Sequence, residues 1–91
     1  MDVKEAIRRA KTYVAEMFSD ENIANIGLEE VRRDEDGRNW LITVGFSRVS
    51  PVTKPTALLG LSLDLPRIYK VVAMNDQDGE LISITNRAVE H

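Results

Sequence analysis

Asn39-Trp40-Leu41-Ile42-Thr43-Val44-Gly45-Phe46-Ser47-Arg48 is the stretch whose reading decides the fold. Trp40, Ile42, Val44 and Phe46 alternate with Leu41, Thr43, Gly45 and Ser47. An extended chain points successive side chains to opposite sides, so one face of this segment carries only large apolar groups. The spacing predicts a half-buried strand over 39–48 whose large face needs a cover.

The cover is found upstream. Val3, Ala6, Ile7, Ala10, Val14, Met17 and Phe18 step by three and four, which places them on one helical stripe. Asp2 stands where an N-cap stands, and Glu5 lies three residues on, in the capping-box position and within reach of Arg8 and Arg9. Ser19, Asp20, Glu21 and Asn22 end the helix, expected over 2–18. The period then changes. Ile26 and Leu28 share a face but Val31 falls on the other, and a bulge near Glu29 and Glu30 would bring it back.

Turns punctuate the rest. Asp34-Glu35-Asp36-Gly37 closes a hairpin between strands near 26–33 and 39–48. Asp76-Gln77-Asp78-Gly79 closes a second between strands near 67–75 and 80–87, the first of them rich in strand formers from Ile68 to Met74. The same Asp-x-Asp-Gly solution is used twice. The expected architecture is α+β: one N-terminal helix packed on a mostly antiparallel four-stranded sheet made of two hairpins, all in one domain over 1–91. The expected core is Ile7, Ala10, Val14, Met17, Phe18, Leu28, Trp40, Ile42, Val44, Phe46, Tyr69 and Val71. Over 68–74 the choice of buried face is open, because Ile68, Val72 and Met74 oppose Tyr69, Val71 and Ala73.

Between the hairpins the composition shifts. All three prolines (Pro51, Pro55, Pro66) and the leucines Leu58, Leu59, Leu61, Leu63 and Leu65 fall within 49–66, where only Lys54 and Asp64 are charged. Leu59 to Leu65 alternate as a strand would, yet Gly60 interrupts the run and Pro66 ends it, which suits an edge strand or a loop. Long connections of this kind are often functional, and a run of exposed leucines marks a contact surface. The equal alternative is that these leucines fold back and complete a small core. Val52, Leu58, Leu59, Leu61, Leu63 and Leu65 are the expected partner-binding residues, and an edge strand at 57–65 pairing with its own copy would give a homodimer.

Much chemistry is excluded by what the 91 residues lack. There is no cysteine, and the one histidine is His91, so thiolate sites and histidine-based catalysis are not expected. A net charge of −3 opposes general nucleic-acid binding. Five aromatic residues, three of them assigned to the core, do not make a base-stacking platform. Aligning Gly79 or Gly37 with the sixth position of a calcium loop puts Met74 or Arg32 at the first and Thr85 or Thr43 at the last, none of which serves. Gly45-Phe46-Ser47 resembles half of a nucleophile elbow, but Val49 replaces the second glycine. Lys4, Arg8 and Lys11 form a basic stripe that any solvated helix face carries. Acidic residues gather at turns and caps, where water keeps them ordinary acids. The reading predicts no catalytic residue, no cofactor and no metal. Charges at positions 2, 4, 5, 8, 9 and 11 are incompatible with a signal peptide, and no apolar run approaches the ~20 residues that span a bilayer. The expectation is a cytoplasmic protein that binds neither nucleic acid nor membrane.

Tyr69-Lys70-Val71-Val72 followed by Asp76-Gln77-Asp78-Gly79-Glu80-Leu81-Ile82 resembles the final hairpin of PepSY-type domains. With one amphipathic helix ahead of a hairpin, the chain is also similar to the short cystatin-like or NTF2-like folds of some bacterial immunity proteins. The resemblance covers about 3–48 and 67–87. It implies a single helix laid across an antiparallel sheet and transfers no catalytic residue.

The function expected from the sequence is a non-catalytic protein-interaction module of immunity, inhibitor or accessory-subunit type. It would bind a protein partner or itself through 49–66 and the open sheet face, and Leu61→Asp would abolish that contact without unfolding the chain. The alternative is a small-ligand binder or minor enzyme with a pocket between helix and sheet, which requires convergent polar groups there.

Overall fold

The computed structural model describes residues 1–49 and 66–87. Helix α1 spans Val3–Met17, and the strands are β1 (Ile23–Arg33), β2 (Asn39–Arg48), β3 (Arg67–Asn75) and β4 (Leu81–Asn86). The four strands form one sheet in the order β1-β2-β3-β4, every neighbour antiparallel. The expected α+β architecture is therefore the observed one, with a helix on an antiparallel meander.

Local chemistry sets the helix start. The Asp2 carboxylate accepts a hydrogen bond from the Glu5 backbone N–H at 2.8 Å, satisfying one of the amides that a helix N-terminus leaves without a partner. Glu5 turns its own carboxylate to Arg8 (2.5 Å) and Arg9 (3.5 Å).

Packing then selects the buried stripe. Ala6, Ala10 and Val14 are fully buried against Trp40, Ile42, Val44, Phe46, Val72 and Met74. Two alanines on the contact line let the helix approach the sheet closely. Val3 and Met17 share the stripe but occupy the first and last positions of the helix, where packing thins. Met17, expected in the core, is instead 57% exposed. Phe18 closes the far end, its ring 5.4 Å from that of Phe46.

The bulge expected near Glu29 and Glu30 is present, since the β1–β2 register shifts between Leu28 and Glu30 and sets Val31 opposite Ile42. A second shift, between Ala24 and Gly27, has no counterpart in the sequence reading. Leu28 lies opposite Val44 but on an edge strand, and is 40% exposed rather than core.

Register resolves the ambiguity in β3 against Tyr69 and Val71. Ile68, Lys70, Val72 and Met74 pair with Phe46, Val44, Ile42 and Trp40, so the even-numbered residues face the helix. Lys70 obscured this in the sequence. Its alkyl stem runs over the apolar layer, its ammonium lies 5.4 Å from the Phe18 ring centroid, and it donates to the Asn86 side chain. Tyr69 and Val71 are half-buried on the opposite face.

Candidate interaction surface

The face of the sheet turned away from α1 is built from the other half of each strand's alternation. Leu41, Thr43, Gly45 and Ser47 of β2 pair there with Ala73, Val71, Tyr69 and Arg67 of β3. Ser83 and Thr85 of β4 stand opposite Ala73 and Val71, and Glu30 and Arg32 of β1 stand opposite Thr43 and Leu41. Leu41, Val71, Ala73 and Tyr69 thus form a half-buried apolar stripe around Thr43, itself 2% exposed, between a charged border on β1 and a hydroxyl border on β4.

Arg67 straps one end of this face. Its guanidinium donates to the Asn25 carbonyl oxygen at 2.8 Å and lies 3.5 Å from the Glu29 carboxylate. The strap runs across β2 at Gly45, where a Cβ would come within 2.8 Å of Arg67 Nη2 and 2.9 Å of Glu29 Oε1. Glycine at 45 is what allows an arginine on β3 to reach β1 over the strand between them. Asn25, which supplies the accepting carbonyl, has a left-handed backbone (φ 58°) within the irregular part of β1. Arg87 covers the Tyr69 ring from the β4 side, at 6.0 Å from its centroid. Ser47, the serine of the half elbow, lies on this face and is only 3% exposed.

The opposite interface is different in kind. Between α1 and the sheet the buried side chains are all apolar among the described residues. The indole N–H of Trp40 has no hydrogen-bond partner among the described residues, and the Arg33 guanidinium lies over its ring at 4.0 Å. An open groove of about 290 Å³ runs along the helix surface, lined by Glu5, Arg8, Arg9, Thr12, Tyr13 and Glu16. There the Arg8 hydrogen bond outweighs partial desolvation and holds the Glu5 carboxyl below its ordinary range, with further help from the charges of Arg8 and Arg9.

Among the described residues no three His, Cys, Asp or Glu side chains converge as a metal site, and no described helix is long and apolar enough to cross a membrane. The contact residues expected from the sequence, Val52, Leu58, Leu59, Leu61, Leu63 and Leu65, lie outside the described residues, as does the expected edge strand at 57–65. The Arg67–Glu29 strap escaped the sequence reading because its partners are 38 positions apart; the signal available was a lone glycine inside a strand, which marks close approach of another group. No family model matches the chain, and no curated protein or solved structure is significantly similar to it.

Proposed function

We propose that the protein is a non-catalytic interaction module of immunity, inhibitor or accessory-subunit type, and that it meets a protein partner through the open face of its sheet. The observation that carries this reading is the stripe of Leu41, Val71, Ala73 and Tyr69 inside a polar border. An apolar centre with a polar rim is the usual anatomy of a protein contact. Tyrosine and arginine, neighbours here as Tyr69 and Arg87, are among the residue types that most often dominate binding energy. Among the described residues the carboxyls displaced from their ordinary range, Glu5 and Asp34, are both held low, opposite to what a general acid at neutral pH requires. The likeness to PepSY-type and cystatin-like domains belongs to the same proposal, the common feature being a helix across an antiparallel sheet.

The test is affinity capture from the source cells with three baits of equal thermal stability: the native chain, Leu41→Thr/Val71→Thr, and Lys4→Ser/Arg8→Ser on the helix. A partner held by the native chain and the helix variant but lost by the sheet-face variant is the expected result. Retention by the sheet-face variant would move the contact elsewhere.

A further inference from the structure

The two edges of the sheet are not equivalent. β1 carries Glu29, Glu30, Arg32 and Arg33 and breaks register twice, the devices that keep an edge strand from pairing with a stranger. β4, Leu81-Ile82-Ser83-Ile84-Thr85-Asn86, has no charged residue, and Ile82 stands 55% exposed beside its single register shift. Among the described residues nothing pairs with its outer side.

The hydrogen-bond phase of that outer side can be read directly. Arg87 N–H donates inward to the Tyr69 carbonyl oxygen at 3.2 Å. Backbone groups alternate along a strand, so Thr85 and Ser83 also face β3, while the N–H and C=O of Ile84 and Asn86 face outward.

We infer that β4 pairs antiparallel with β4 of a second copy about a two-fold axis at Ile84, joining two four-stranded sheets into one of eight. The register is assigned by the positions on β3. Ile84 stands opposite Val72, Glu80 is bonded to Asn75 by the Asn75 N–H at 3.0 Å, and Arg87 is bonded to Tyr69. Asn75 and Tyr69 each lie three positions from Val72, so Glu80 and Arg87 are equally far from the centre, on the same open face. The register shift before Ser83 makes them so, because it absorbs one of the four steps from Glu80 to Ile84.

A two-fold pairing at Ile84 therefore sets Glu80 of each copy opposite Arg87 of the other. Ser83 falls opposite Thr85, and Ile84 opposite Ile84 with their outward amides and carbonyls exchanged. Every facing pair keeps its side of the sheet, and among the described residues the charges in the interface are complementary. This self-complementarity selects a second copy of the chain as the occupant. The pairing shares Arg87, Ser83 and Thr85 with the border of the open face but not Leu41 or Val71, so loss of a partner through Leu41→Thr/Val71→Thr leaves the pairing untouched.

The absence of cysteine provides a direct test of the register. Ser83→Cys and Thr85→Cys are purified separately and oxidised alone and mixed, while sedimentation of the native chain reports its mass against concentration. The expected results are a disulfide-linked dimer in the mixture only, and a reversible monomer–dimer equilibrium for the native chain. Arg87→Glu should weaken that equilibrium on the order of tenfold by opposing two pairs of like charges, and Glu80→Arg/Arg87→Glu should restore it. A native chain that stays monomeric at every concentration overturns the pairing and leaves the edge to another protein's strand. Crosslinking of either variant alone, or no rescue by the double reversal, overturns the register.

Discussion

The two hairpin tips are spelled alike, Asp34-Glu35-Asp36-Gly37 and Asp76-Gln77-Asp78-Gly79, and lie side by side at one end of the sheet, where the Asp76 N–H donates to the Arg38 carbonyl at 2.9 Å. Both glycines take the same left-handed conformation, with φ of 67° at Gly37 and 70° at Gly79. Their surroundings differ. Nothing stands within 4 Å of where a Gly37 side chain would begin, whereas the same position at Gly79 is occupied by Arg9 of the helix. Arg9 also donates to the Asp78 carbonyl at 3.1 Å, and the Tyr13 hydroxyl donates to the Gly79 carbonyl at 2.6 Å. One tip is only a turn; the other is also the dock for the helix. The anchors differ too. In the first tip the charged Asp34 carboxylate accepts from the backbone amides of Arg38 and Asn39, while in the second the neutral Asn75 side chain accepts from those of Gln77 and Asp78. The same local solution acquires different duties according to what packs on it.

The widest gap between the tips should come from giving each glycine a side chain. Gly79→Ala should cost about 2 kcal/mol, combining the left-handed penalty with loss of the Arg9 hydrogen bond, and Gly37→Ala about 1 kcal/mol from the penalty alone. Urea unfolding of both, repeated in an Arg9→Ala background, checks the assignment: the excess at Gly79 should vanish there, and an excess that persists would mean that Arg9 is not its cause. A smaller effect is expected of Tyr13→Phe, about 1 kcal/mol, with increased hydrogen exchange at the second tip and none at the first. Equal loosening of both tips would remove the distinction.

The smallest effect is one of pH. Burial pulls the Asp34 carboxyl upward, but hydrogen bonds from the backbone and side chain of Asn39 and the backbones of Arg38 and Gly37 prevail and hold it below its ordinary 3.8. A carboxyl whose folded pKa lies below its unfolded one contributes stability at pH above the unfolded value, and that contribution is lost as pH falls through the folded value. Amide protection of Arg38 and Asn39 should therefore fall on acidification below about pH 4, while Gln77 and Asp78, bonded to Asn75, should change less. Asp34→Asn should flatten the response. Parallel titration of the two tips would show that the anchor's charge is not the source.

Much of the fold was legible because it rests on nearest neighbours and short periods. The alternation from Trp40 to Phe46, the Asp2 cap, both glycine turns and the bulge at Glu29 are each written within a few residues. What escaped depended on partners far along the chain. Lys70 sits in a core-facing row that composition alone would assign to apolar residues, because Phe18 and Asn86 accommodate its two ends. Leu28 and Met17 match the apolar pattern yet stand exposed, one on an edge strand and one at a helix end. On the candidate face, Leu41 and Gly45 were visible as the weaker half of an alternation. Nothing local announced that Arg67 would cross Gly45 to reach Glu29 and Asn25.

By itself the sequence determined a single amphipathic helix, four strands and two glycine turns, since side-chain period and backbone sterics act over a handful of residues. Only the tertiary structure decided which face of β3 is buried, which tip receives the helix, and which uncharged strand lies at an edge of the sheet among the described residues. Those choices follow from register and close packing between segments distant in the chain, where one residue's slip would exchange the two faces of a strand.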